Sequence, residues 1–190
     1  MEQNSSGEFR LELSAAEKHY LHALVRRTIE AELADADASD ELPPPESDIL
    51  RRELGAFVTL NKGGRLRGCI GNLVGRGPLY KTVAAMAKAA AFQDPRFPPL
   101  ESGEFPDVTE EISIMGPITS CPDHGAITVG RHGLIASGHG RQGLLLPQVP
   151  VEWGWDRETF LAQTCRKAGL PPDAWKKPGT QILWFEAVVI

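Results

Sequence analysis

The spacing of apolar residues along the chain predicts four helices. The first is marked by Ser14 and Glu17, whose separation fits a capping box, and its apolar positions recur every three to four residues up to Leu33. The third is an alanine-rich run, which favours a helix because alanine has the highest helix propensity. The fourth begins after Asp156, a good N-cap residue, and ends at Gly169. These helices are predicted over about residues 14–33, 46–54, 79–92 and 156–168.

Short apolar and alternating runs predict strands between these helices. Residues 56–60 lead through Gly63-Gly64, a turn sequence, to the hexapeptide Leu66–Gly71, so this region is predicted to be a β-hairpin. Turns are expected at Arg131-His132 and at residues 137–140. Further strands are predicted at residues 108–118, 126–130, 133–136, 142–146 and 182–189. Strands separated by turns, with helices near the ends, predict an α+β fold with a mostly antiparallel sheet flanked by helices.

The hexapeptide Leu66–Gly71 carries the most specific candidate chemistry. In a strand of period two, Arg67 and Cys69 point to the same face. A guanidinium beside a thiol favours the reactive thiolate, so Cys69 is predicted to be a nucleophile or covalent anchor, with Arg67 as its partner. The competing interpretation is that Cys69 is a small buried hydrophobic residue, which is the usual role of a free cysteine in a strand.

A small-anion site is a second prediction for the same region. Gly71, Gly75 and Gly77 loosen the backbone just before the helix at residues 79–92, whose first amides are unpaired, and positive charge is available from Arg67, Arg76 and Arg96. The predicted ligand-binding residues are Gly68, Gly71, Asn72, Arg96 and Gln148, the last of which lies in a separate recognisable block. The alternative is structural, because glycines shape turns and arginine stems cover apolar surface. The sequence leaves both interpretations open.

Carboxylates offer a third set of candidate groups. Asp94, Glu110, Glu111 and Glu152 would act as acids, bases or metal ligands if they converged, and Glu111 is predicted as a catalytic candidate. Glu110 is expected at the start of its strand, with Glu111 on the face opposite the apolar residues. Solvation at the surface is the competing interpretation for each of them. Residues 121–124 contain a single cysteine and histidine pair, so no metal site is predicted.

Composition and charge narrow the class of protein. The 190 residues suit one domain or two small lobes, and residues 1–8 are expected to be a flexible terminus before a domain at residues 9–190. The 20 Lys and Arg residues against 25 Asp and Glu give a net charge of -5, which argues against nucleic-acid or anionic-membrane partners. Three cysteines without a paired motif, and no secretion signal or membrane-spanning run, predict a cytoplasmic protein.

Four sequence blocks resemble a known family. They are the hexapeptide Leu66–Gly71, the stretch Asp94-Pro95-Arg96-Phe97-Pro98-Pro99, the stretch Leu145-Leu146-Pro147-Gln148-Val149 and the stretch Cys165-Arg166-Lys167-Ala168-Gly169-Leu170-Pro171. Together they resemble the AMME chromosomal region protein family, whose prokaryotic members are called AmmeMemoRadiSam system protein A, from about Leu11 to Ile190. The resemblance implies two unequal lobes with a cleft near the hexapeptide. It also implies association with a radical S-adenosylmethionine protein and a Memo-type protein, and it names no reaction and no cofactor.

Three functional hypotheses follow from these observations. The first is an enzyme or enzyme component that binds a small anionic ligand in a cleft around Arg67 and Cys69. The second is a non-catalytic adaptor or ligand-binding module that uses the same cleft for recognition. The third is a nucleic-acid-binding regulator, which the acidic charge balance makes the least favoured of the three.

Overall fold

The computed structural model describes residues 11–35 and 43–190, so the expected flexible terminus at residues 1–8 lies outside the described residues. The described residues divide into two units, a larger one of residues 12–35, 43–115 and 188–190 and a smaller one of residue 11 and residues 116–187. Strands and helices are both present, and within each unit the described strand pairs are antiparallel. The predicted α+β fold with an antiparallel sheet flanked by helices is therefore confirmed.

The larger unit contains three antiparallel strands, with β1 in the middle, and helices that pack on them. Its strands are hydrogen-bonded in the order β2, β1, β3, and Ile190 at the end of the chain exchanges two backbone bonds with Ile112. Its elements are α1 (Ala15–Leu33), α2 (Asp48–Arg51), β1 (Gly55–Lys62), β2 (Arg65–Asn72), α3 (Leu79–Phe92) and β3 (Val108–Met115). The second helix is shorter than predicted because Arg52 is already extended, with φ -69° and ψ 151°.

Helix α1 begins at the predicted capping box and is anchored to the sheet by an ion pair. The Ser14 side chain accepts from the Glu17 amide, and the Glu17 carboxylate accepts from the Ser14 amide. Glu110 of β3 accepts from Arg26 at 3.0 Å and lies 3.3 Å from Nδ1 of His22, both on α1. The predicted position of Glu110 near the start of the strand is therefore confirmed, and its carboxylate ties β3 to the helix.

The β1–β2 hairpin turns where the sequence predicted, at Gly63-Gly64. Both glycines have positive φ, 56° and 73°, a backbone conformation that other residues rarely adopt. Helix α3 packs on the face of the hairpin that carries Gly68, because a Cβ built on Gly68 would lie 2.1 Å from the carbonyl oxygen of Ala90. The side chain of Cys69, the next residue along the strand, therefore lies on the face away from α3.

The smaller unit contains antiparallel strands with helix α5 packed on them. Strand β7 pairs with both β4 and β5, and β5 pairs with β6. Its elements are β4 (Thr119–Ser120), β5 (His132–Gly138), β6 (Arg141–Leu145), α4 (Gln148–Glu152), α5 (Arg157–Lys167) and β7 (Thr180–Val189), whose end belongs to the larger unit. Helix α5 buries an apolar cluster of Ile127, Leu134, Ala136, Phe160, Leu161, Cys165, Ala168, Leu170, Ala174 and Ile182.

Two predictions for the smaller unit are wrong. No strand forms at residues 126–130, where a 3-10 helix at His124–Ala126 is followed by a turn at residues 129–130. His132 is not a turn residue, since it begins β5, is buried, and accepts a hydrogen bond from the Thr128 amide at Nδ1. The apolar residues in this stretch are compatible with a short strand and also with a loop that leads into a strand, and the sequence does not distinguish the two.

Among the described residues, no helix is long and apolar enough to cross a membrane.

Candidate functional site

The hexapeptide strand β2 is held along its free edge by the segment Asp94–Arg96. The backbone N–H of Cys69 donates to Oδ2 of Asp94 at 2.8 Å, and Nη2 of Arg96 donates to the Cys69 carbonyl oxygen at 3.1 Å. The hexapeptide block and the block that begins at Asp94 are therefore joined by hydrogen bonds. The bonds occupy the two backbone groups of Cys69 that face away from β1, so another strand cannot pair there.

The segment takes this shape because of local bonds within it. Helix α3 ends at Phe92, and the Asp94 side chain then accepts from the Arg96 amide at 3.1 Å, a turn that aspartate commonly forms. The Arg96 guanidinium binds the same carboxylate side-on, with Nε at 2.9 Å from Oδ1 and Nη2 at 2.7 Å from Oδ2. The Arg96 side chain and the Cys69 amide together hold the pKa of the buried Asp94 well below its ordinary range.

The Cys69 side chain belongs to a polar row that crosses three strands on the face away from α3. Cys69 pairs with Thr59 of β1, and Thr59 pairs with Glu111 of β3, so the three side chains point to one face of the sheet. The Thr59 hydroxyl donates to the Cys69 sulfur at 3.3 Å. Cys69 and Thr59 are half-buried and Glu111 is exposed. We call Cys69, Thr59 and Glu111 the polar row.

The predicted pairing of the Arg67 guanidinium with the Cys69 thiol is wrong. Strict alternation along β2 requires a regular register, but the β1–β2 register shifts between Leu60 and Asn61 and leaves Arg67 without a partner on β1. Arg67 instead forms a two-bond ion pair with Glu104, through Nε at 3.2 Å and Nη2 at 2.5 Å, and Nη2 also donates to the Pro99 carbonyl. The cation beside Cys69 is that of Arg96.

Glu104 forms ion pairs with two cations, Lys62 and Arg67, and offsets part of their positive charge. Lys62 of β1 donates to Oε2 of Glu104 at 3.0 Å, in addition to the two bonds from Arg67. Hydrogen bonding by Arg67, supported by Lys62, lowers the pKa of Glu104 to about 2. The Arg67 side chain is only 12% exposed. Arg67 therefore links β2 to the loop that contains Glu104 through a largely buried ion pair. The catalytic role of Arg67 remains a prediction.

Comparisons with known proteins identify the family. The AMMECR1 family model matches residues 22–190. The chain belongs to the AMMECR1 family. Relatives include the protein TK0174 of Thermococcus kodakarensis, 44% identical over 184 residues (90% of this chain and 87% of that protein), and a protein of Methanothermobacter thermautotrophicus, 42% identical over 183 residues (93% and 95%). A crystal structure titled as an uncharacterized protein, PH0010 of Pyrococcus horikoshii, is similar with a TM-score of 0.72 and 41% identity, covering 90% of this chain and 88% of that one.

The glycines of the hexapeptide have packing roles in this AMMECR1 protein. A Cβ on Gly68 would collide with the Ala90 carbonyl, and one on Gly71 would lie 2.1 Å from the Phe57 ring. Asn72 is exposed and donates to the sulfur of Met86. The space that glycine leaves at these two positions is thus filled by the protein itself. Ligand binding by Gly68, Gly71 and Asn72 remains a prediction.

The remaining candidates do not join the polar row. Gln148 is exposed on α4 and belongs to the smaller unit, as does the exposed Glu152. Of the four candidate carboxylates, the structure places Glu111 in the row and Asp94 beside Cys69, whereas Glu110 is bound by α1. Across residues 11–35 and 43–190, no group of three or more His, Cys, Asp or Glu side chains is arranged to hold a metal ion.

Two residues of the site were missed by sequence analysis. Thr59 was considered only as part of an apolar run, although its register with Cys69 makes it the thiol's hydrogen-bond donor. Glu104 lies far from Arg67 in the sequence, and the residues around Glu104 form no motif that indicates a partner. The position of Asp94 directly before Pro95 and Arg96 was a usable signal for a turn. An aspartate in such a turn often accepts a hydrogen bond from the backbone N–H two residues later.

Proposed function

We propose that this AMMECR1 protein binds a small anionic ligand at Cys69, with Arg96 as the cation that attracts the ligand and Cys69 as the residue that acts on it. The observation that carries the proposal is the placement of Arg96. Its Nε and Nη2 atoms bind Asp94 and the Cys69 carbonyl, while the side chain remains 53% exposed. Among the described residues, Nη1 has no hydrogen-bond acceptor, so this edge of the guanidinium is available to a carboxylate or phosphate.

The surroundings of Cys69 support a role in ligand contact. The thiol is half-buried and shares its face with a hydroxyl and a carboxylate, whereas Cys165 is fully buried in the apolar cluster of the smaller unit. The strand that carries Cys69 is fixed by backbone bonds on its outer edge. A thiol held rigidly beside an accessible cation is suited to meeting an anionic ligand in one orientation.

The proposal is tested by comparing an anionic with a neutral alkylating reagent. Iodoacetate and iodoacetamide both react with the thiolate, so the ratio of their rate constants at one cysteine reports the local electrostatic field and is independent of the thiolate fraction. We expect this ratio at Cys69 to exceed that at Cys121 by about twofold, because the Asp94 carboxylate offsets part of the Arg96 charge. Site-resolved mass spectrometry on the folded protein provides both ratios.

Charge variants show whether Arg96 is the cause. Arg96→Gln should bring the ratio at Cys69 close to that at Cys121. Arg65→Gln removes one positive charge from an exposed position of the same strand and should leave the ratio unchanged. Equal ratios at Cys69 and Cys121 in the unchanged protein would rule out an anion-attracting site. Protection of Cys69 until unfolding would favour the adaptor hypothesis, in which the hexapeptide has an architectural role.

We also propose that the protein works in the cytoplasm with a radical S-adenosylmethionine protein and a Memo-type protein. The support for these partners is the family resemblance of the four sequence blocks. The match to the AMMECR1 family model by itself indicates no ligand and no reaction. Co-purification of the tagged full-length chain with both proteins from a cell that encodes all three would support the assembly. Failure of reciprocal tagging to recover either partner would contradict it.

A further inference from the structure

The polar row ends in a carboxylate that has no partner within the described part of the chain. Glu111 is exposed, lies opposite Thr59 in the β1–β3 register, and makes no hydrogen bond or ion pair to any described residue. Its neighbour in the sequence, Glu110, differs, because that carboxylate is bound by Arg26. The face away from α3 therefore presents a free negative charge at β3 and a partly free positive charge, that of Arg96, at the outer edge of β2.

The positions of these two charges are fixed by the sheet. Cys69 and Glu111 are separated by two strand spacings, which is about 10 Å between their backbones. Arg96 lies beyond Cys69 on the free edge of β2. The order across the face is thus cation, thiol, hydroxyl and carboxylate. Bonds to Asp94 and the Cys69 carbonyl hold the Arg96 guanidinium, whereas the Glu111 side chain is able to reach a few ångströms towards Cys69.

We infer that the ligand of this site carries both a carboxylate and an ammonium group and has the length of a di- or tripeptide. This inference rests on the proposed function, since it takes the Cys69 region as the ligand site. The ligand carboxylate binds Arg96 and the ammonium binds Glu111. An extended chain covers about 3.3 Å per residue, so two to three residues span roughly 7–10 Å, which is about the separation of the Cys69 and Glu111 backbones. The ion-pair contacts to Arg96 and Glu111 extend beyond the two ends of the ligand and leave its middle against Cys69 and Thr59.

A simple anion does not account for Glu111. A ligand with negative charge alone would be attracted by Arg96, which is bonded to Cys69, and would leave the more distant Glu111 carboxylate without a role. A ligand with positive charge alone would leave the Arg96 edge unused. Charges of both signs at opposite ends satisfy Arg96 and Glu111 together, and the same arrangement rejects ligands that lack either group.

The test measures how well small peptides protect Cys69 from iodoacetamide, a neutral reagent, at pH 7. Four probes of one length differ only in their end groups: triglycine, N-acetyl-triglycine, triglycine amide, and triglycine blocked at both ends. We expect triglycine to protect Cys69 at the lowest concentration. N-Acetyl-triglycine should need about two- to fivefold more, which matches the loss of one exposed ion pair, and triglycine amide about tenfold more. Cys121 in the same sample serves as the internal reference.

Matched variants assign each end of the ligand. Glu111→Gln should remove the advantage of triglycine over N-acetyl-triglycine, and Arg96→Gln should remove its advantage over triglycine amide. Glu30→Gln, at an exposed position of α1, is the charge-matched control for Glu111→Gln and should change neither comparison. Because Glu111 is exposed and without a partner in the described chain, its variant should unfold at the same temperature as the unchanged protein.

The outcomes separate this inference from the proposed function. If N-acetyl-triglycine protects as well as triglycine and Glu111→Gln has no effect, the ligand is a simple anion, and the inference is overturned while the proposed function stands. If no peptide protects Cys69 although iodoacetate still reacts preferentially there, the inference is also overturned and the anion site stands. If there is neither protection nor a preference for iodoacetate, both ideas fail.

Discussion

Strand β2 and helix α5 each carry a cysteine from a recognisable sequence block, and the two cysteines lie in opposite kinds of surroundings. Cys69 of β2 is half-buried, its backbone is bonded to Asp94 and Arg96, and its sulfur accepts from Thr59. Cys165 of α5 is fully buried in an apolar cluster, and burial raises the pKa of its thiol. Neighbours and burial, and not the residue type, decide which thiol is able to meet a ligand.

The surroundings of Cys69 depend on a close backbone approach between β2 and α3. Gly68→Ala should be strongly damaging, because the added Cβ would lie 2.1 Å from the Ala90 carbonyl oxygen and α3 would have to move. We expect the free energy of unfolding to fall by about 3 kcal/mol. Urea denaturation followed by circular dichroism measures the loss.

A second glycine in the same unit provides the control. A Cβ on Gly103 would meet no atom within 4 Å, and the residue lacks a positive φ, so Gly103→Ala should change the stability by no more than about 0.5 kcal/mol. If Gly68→Ala were as mild as Gly103→Ala, the contact between β2 and α3 would not be what fixes the hexapeptide strand.

Much of the fold was predictable because each element carries a local signal. The capping box at Ser14, the alanine-rich α3, the Gly63-Gly64 turn and the cap at Asp156 all lie where the sequence indicated. The failures are at short segments. Residues 126–130 have strand-like composition, and the five-residue helix α4 is too short to show a helical period.

The candidate site was less predictable because register and long-range pairing decide it. Placing Arg67 beside Cys69 assumed uninterrupted alternation, and a single register shift at Leu60 changed the neighbours of both residues. The partners that replaced the predicted pair, Glu104 for Arg67 and Arg96 for Cys69, lie 37 and 27 residues away in the sequence. No local pattern encodes contacts of that range.

The second prediction concerns pH, because the ion pair that holds β2 should make the free energy of unfolding depend on pH, whereas the apolar packing of α5 should not. The folded-state pKa of Glu104 is about 2, below the ordinary value of about 4.3, so its ion pair with Arg67 stabilises the fold above pH 4.3. That contribution is lost as the pH falls from about 4.3 towards 2. Glu104→Gln should therefore cost about 2 kcal/mol at pH 7 and almost nothing near pH 2.

The measurement is the difference in unfolding free energy between Glu104→Gln and the unchanged protein, taken at several pH values. Glu101→Gln removes an exposed carboxylate from the same loop and should give a small difference at every pH. A pH-independent cost for Glu104→Gln would mean that its carboxylate contributes through packing and not through charge.

The smallest expected changes in stability come from cysteine substitutions, which compare β2 and α5 directly. Cys165→Ser places a hydroxyl in the apolar cluster of α5 and should lower the free energy of unfolding by about 1–2 kcal/mol, because burying a more polar group costs stability. Cys69→Ser should cost no more than about 0.5 kcal/mol, since the Thr59 hydroxyl keeps a partner at that position. Thermal unfolding of the two variants in parallel checks the order. Equal costs would mean that Cys69 lies in a packed interior like that of Cys165, and the case for a thiol that contacts a ligand would fail with it.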